Sequence, residues 1–168
     1  MRLLFIHGAG GYLEDQDLAD NLGSSIGATV LMPPLPDENM SFQAWADPVR
    51  GALGAMDESD RVIAHSFGAS VLLRVLTEGG RVPKRAVMLA MPDWSPEGWG
   101  VAEYAFDGPD PQLALSLHHC RDDEVVPFAH LATNSSRLPS AQVWPHESGG
   151  HQFYGLIAEL AQDLARAQ

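Results

Sequence analysis

The chain has 168 residues, 45% of them hydrophobic and 19% charged, a globular balance that sets aside a disordered chain and suits a single domain. Its formal net charge of −12 excludes a nucleic-acid reader, which needs clustered Lys and Arg; the dispersed acids read as a solvated surface. The lone cysteine, Cys120, favours a reducing compartment, and the opening apolar run Leu3-Leu4-Phe5-Ile6 is too short for a secretory signal, so a soluble, cytoplasmic protein with no membrane span is expected.

Residues 2–7 form a short apolar run ending in glycines, which predicts a buried strand. Residues 12–26 carry Leu13, Leu18, Leu22 and Ile26 at near-helical spacing and close at Gly27. A strand over 28–32 stops at Pro33-Pro34. Ser41 is placed to cap a helix bearing Phe42, Trp45, Val49, Leu53 and Met56. Residues 61–64 predict a third strand running into Ser66, followed by a helix with Val71, Leu72, Val75 and Leu76 that ends at Gly79-Gly80. Strands are expected over 85–90 and 113–118, a helix over 127–136, a short strand over 142–144 and a closing helix over 152–167. Alternating strands and helices imply an α/β fold with a parallel sheet covered on both faces. Ligands of such sheets bind at the carboxyl ends of the strands.

The residues just after the strands therefore matter most. They are His7-Gly8-Ala9-Gly10-Gly11, then His65-Ser66, then Arg121 to Pro127, then Gly149-Gly150-His151. A serine, a carboxylate and a histidine fall on one sheet edge in the order of an α/β-hydrolase triad. A serine hydroxyl is a poor nucleophile until an imidazole removes its proton, and the imidazole needs a carboxylate to fix its tautomer. The candidates are Ser66 as nucleophile, His151 as base and Asp123 as the orienting acid. The Phe67 N–H, with one from Ala9 or Gly10, would supply the oxyanion donors. The stretch Ala64-His65-Ser66-Phe67-Gly68 departs from G-x-S-x-G at Ala64, where the demand is a small side chain. Gly68 sits where the helix passes nearest the strand.

Rivals exist for each role. Asp122 and Glu124 share the acid's loop, and Asp93 follows the fourth strand; spacing to Pro127 selects Asp123. His146 reads as a surface loop residue, His65 as packing beside the nucleophile, and His7 as a brace for its own loop. His118, His119, Cys120 and Asp122 lack zinc-site spacing, and adjacent strand residues point to opposite faces, so no metal is expected. The glycine loop lacks the Gly-Lys-Ser/Thr ending of a P-loop, and no cofactor is expected. Residues 91–111 contain Trp94, Trp99, Tyr104 and Phe106 and read as a short lid or pocket wall. Gly10, His65, Trp94 and Trp99 are the expected pocket residues, and the partner is a small ester-type molecule.

The chain resembles a minimal α/β-hydrolase. It is similar to the small single-domain serine hydrolases grouped around a retinoblastoma-binding protein and its bacterial relatives, and to small bacterial esterases and lipases. The resemblance rests on His7-Gly8, on Pro33-Pro34-Leu35-Pro36 with Trp45, on Ser66, on Asp123 through Pro127, and on Gly150-His151. It implies a three-layer fold with six mostly parallel strands in the order 2-1-3-4-5-6. It also implies a carboxylesterase-like activity, with a thioesterase, an amidase-like hydrolase or a partner-binding protein as alternatives.

Overall fold

A computed structural model describes residues 1–79 and 83–166. Six strands, β1 (Arg2–Ile6), β2 (Thr29–Leu31), β3 (Arg61–His65), β4 (Arg85–Leu89), β5 (Ala114–Cys120) and β6 (Gln142–His146), form one sheet in the order β2-β1-β3-β4-β5-β6. All five neighbouring pairs run parallel. The expected strand order therefore holds, and every carboxyl end lies on one edge.

The helices are α1 (Gln16–Ile26), α2 (Phe42–Gly54), α3 (Ser66–Thr77), α4 (Ala129–Arg137) and α5 (Ile157–Leu164). Strand side chains alternate between two cores. Leu3 and Phe5 of β1, with Val87 and Leu89 of β4, pack under α1 and α5 through Leu18, Leu22, Leu160 and Leu164. Leu4 and Ile6, with Ala86 and Met88, face α2, α3 and α4 through Trp45, Leu72 and Leu131. This is the three-layer arrangement. Among the described residues no helix is long and apolar enough to cross a membrane.

The starts of the first and last helices differ from the sequence reading. The first helix begins at Gln16, because residues 9–15 form successive turns and Leu13, counted in the apolar stripe, is 79% exposed. The closing helix begins at Ile157, because Phe153 takes a left-handed φ of 55° and residues 151–155 form turns. Ser41 occupies the N-cap of α2 in extended geometry, yet its side chain makes no capping bond. The expected ends at Gly80 and Ala167 lie outside the described residues.

Candidate active site

Ser66 stands at the junction of β3 and α3 with φ +52°, a left-handed backbone that a non-glycine residue adopts at a cost of order 1–3 kcal/mol. Close packing holds it there. A Cβ built on Gly68 would stand 2.8 Å from the Ile6 carbonyl oxygen and closer still to that of His7. The start of α3 therefore lies directly against the end of β1. A Cβ on Gly8 would stand 3.0 Å from the Ser66 Cβ, so the glycine loop also abuts the serine. Ala64 is fully buried inside β3, and its one methyl is accommodated.

Opposite Ser66 lies His151. Its Nδ1–H donates to both carboxylate oxygens of Asp123, at 3.0 and 3.1 Å, which leaves Nε2 as the acceptor nitrogen. Burial alone would push the Asp123 carboxyl up. Hydrogen bonds from His119, His151 and the Val126 and Val125 N–H groups outweigh it and hold the carboxyl far below the usual range. Among the described residues no hydrogen bond joins Ser66 to His151; the two line one cavity of about 280 Å³. In substrate-free enzymes such bonds are often long and tighten only in the reacting complex.

The three neighbouring acids divide their work. Asp122 accepts from the Gly149 and Gly150 N–H groups at 3.2 and 2.9 Å, and Glu124 accepts from the His151 N–H at 3.1 Å. Only Asp123 meets the His151 ring. Asp93, the rival after β4, is tied to Arg137 at 2.6 Å and to Ser95, and it braces the turn that follows it. His146 corrects the loop reading: it ends β6, stacks on His118 and bonds to it at 3.0 Å. His7 does brace its loop. Its Nδ1–H donates to the Gly8 carbonyl and its Nε2 accepts from the Leu35 N–H.

Phe67 is the second residue of α3, so its N–H lies among the helix's unpaired first four. In the glycine loop the Gly10 N–H donates to Asp37 at 2.7 Å, and Gly10 is absent from the cavity wall. Ala9 lines the cavity between two anchored amides, since the Gly8 N–H donates to Asp15. Trp94 and Trp99 line the opposite wall with Phe67, Tyr104 and Met40. Trp94 is pinned by its Nε1–H on Ser70, and the Tyr104 hydroxyl bonds the Met40 carbonyl.

Sequence reasoning missed two groups. His119, set aside with the metal question, donates to the Val126 carbonyl and stands 3.3 Å from Asp123. The alternation of β5 sends it toward the acid, while its neighbour His118 reaches Asp163 under α5. Asp15, with no role in the sequence reading, forms a buried pair at 2.9 Å with His65 in the cavity wall, where His65 was expected. Alternation along β5 was a usable signal for His119. None existed for Asp15, whose partners lie far away in the chain.

No protein-family model and no curated protein matches the sequence. Solved structures do match. α/β hydrolase domain-containing protein 10 from mouse superposes with a TM-score of 0.75 at 13% identity, covering 96% of this chain and 86% of that one. Est1E from Butyrivibrio proteoclasticus gives 0.74 at 13% identity, over 96% and 84%. The ydeN gene product from B. subtilis gives 0.69 at 16% identity, over 97% of each chain. The chain has the α/β-hydrolase fold. It is of the small kind, nearly all of its length being matched.

Proposed function

We propose that the protein is a serine hydrolase that cleaves small or medium carboxylic esters. The observation that carries this reading is the placement of Ser66, held at a left-handed turn, on one cavity with a histidine whose far nitrogen is oriented by Asp123. Ser66 Oγ attacks the ester carbonyl carbon while His151 Nε2 takes its proton. The carbonyl oxygen becomes an oxyanion that receives the Phe67 and Ala9 N–H groups. As the tetrahedral adduct collapses, the carbon–oxygen bond to the alcohol breaks and His151 returns the proton to that alcohol. Water then enters by the same route and releases the acid from Ser66. Asp123 keeps the proton on Nδ1 and balances the imidazolium.

The wall of Phe67, Trp94, Trp99, Tyr104 and Met40 supports an apolar or aromatic acyl group. Est1E, the structural neighbour, has been captured with ferulic acid bound, which agrees in kind. Residues 91–111 serve as the short lid of a single domain. The free, buried Cys120 thiol, pushed up to about 12 by burial and neighbouring acids, suits the cytoplasm. Hydrolysis of p-nitrophenyl esters of increasing acyl length tests the reading. The wild type turns over short and arylaliphatic esters and Ser66→Ala does not; full activity in Ser66→Ala refutes it.

A further inference from the structure

In the cavity wall, Asp15 and His65 are each 1% exposed. Asp15 Oδ2 accepts from the Gly8 N–H and from His65 Nδ1–H, both at 2.9 Å, and its Oδ1 accepts from the Gln152 amide at 2.9 Å. His65 Nε2–H in turn donates to the backbone carbonyl of His151 at 2.9 Å. We propose that this Asp15–His65 pair positions the glycine loop and the His151 loop against Ser66; the proposal rests on the hydrolase reading above. One unbroken chain of hydrogen bonds runs from Gly8 through Asp15 and His65 to His151.

The chemistry of the pair fits such a role. The two ring nitrogens of His65 each face an oxygen acceptor, and the buried carboxylate meets three donors, so the pair is satisfied without water. Burial alone would raise the Asp15 carboxyl, but His65, the Gly8 N–H and Gln152 together hold it at about 2. Asp15 occupies the N-cap of α1, where an aspartate ordinarily bonds the helix's own N–H groups. Here its side chain makes no capping bond and turns inward instead. His65 directly precedes Ser66, Gln152 directly follows His151, and Gly8 directly precedes Ala9. The pair thus includes or touches the chain neighbours of Ser66, His151 and Ala9. Each hydrogen bond of the pair goes to another protein group, so both act as positioning residues.

The test uses Asp15→Asn, which keeps the shape and an acceptor oxygen but removes the charge. Active sites are counted first with a fluorophosphonate, so that misfolded protein does not register as slow enzyme. The expected result is a fall in kcat per labelled site of roughly 10–100-fold, the scale seen for outer-shell partners of functional groups, with KM little changed. Unchanged kcat per labelled site overturns the proposal. A second arm needs no activity. Proton NMR of the wild-type protein should show two slowly exchanging ring N–H signals that vanish in His65→Gln, one for each hydrogen bond. One signal or none also overturns the proposal. Wild-type protein that takes no label at all refutes the hydrolase reading, and the NMR arm then still decides whether the pair exists.

Discussion

Replacing Gly68 with alanine separates the packing of the serine turn from helix propensity. The new Cβ would lie 2.8 Å from the Ile6 carbonyl oxygen and 2.9 Å from its Cγ2, whereas ordinary contact begins at 3.4 Å. Two backbone carbonyls cannot rotate away, so the start of α3 must retreat by more than about half an ångström. Overpacking of this kind costs about 1–3 kcal/mol, and the gain in helix propensity returns at most about 1. The net loss, up to about 2 kcal/mol, lowers the thermal midpoint by up to roughly 8 °C in a chain of this size. Activity should suffer more, because Ser66 and Phe67 begin the same helix. A misplacement near 1 Å costs on the order of 100-fold. Gly51→Ala in α2 is the control, since nothing lies within 4 Å of its built Cβ. It should leave activity unchanged and raise the midpoint slightly. Thermal melts and p-nitrophenyl ester kinetics on both variants make the comparison. A Gly68→Ala protein as stable and active as Gly51→Ala would refute the packing argument.

Asp123→Asn should lower kcat by roughly 10⁴-fold, because the His151 tautomer is lost; Asp122→Asn, which loosens only the Gly149–Gly150 turn, should cost far less, and the reverse ranking in steady-state kinetics would move the acid. Stability should fall in acid. Burial lowers both His118 and His146, so the folded chain keeps these rings neutral while the unfolded chain takes up protons below about pH 6.5. Asp163, held at about 2 by His118, Ser116 and Arg85 against its burial, adds a second loss as pH falls from about 4 toward that value. Denaturant midpoints at pH 7.5, 5.5 and 3.5 check this; equal midpoints at the first two pH values contradict the histidine part.

Much of the site was legible in the sequence because buried parallel strands are short apolar runs, and the residue after each run falls on one edge. That rule picks out Ser66, Asp123 and His151, and the structure sets Ser66 and His151 on one cavity with Asp123 against the His151 ring. Of the expected pocket residues, His65, Trp94 and Trp99 line the cavity, whereas Gly10 turns its N–H to Asp37. Failures came where partners are distant or backbone signs change. Asp15 meets residues 50 and 137 positions away, and no local pattern marks such contacts. Phe153 and Leu156 mimic helical spacing, yet the left-handed φ at Phe153 delays α5 until Ile157. His146 lay beyond the strand expected over 142–144, but β6 runs on through Pro145, a residue tolerated on edge strands, and β6 is an edge of this sheet.

The central claim is that Ser66 is an activated nucleophile. Incubating the native protein with a fluorophosphonate and mapping the adduct by peptide mass spectrometry tests it most directly. The account predicts one adduct, on the peptide containing Ser66, formed on the native protein and lost on prior heat denaturation, in Ser66→Ala and in His151→Ala. An adduct on another residue, or none on the native wild type, would contradict it.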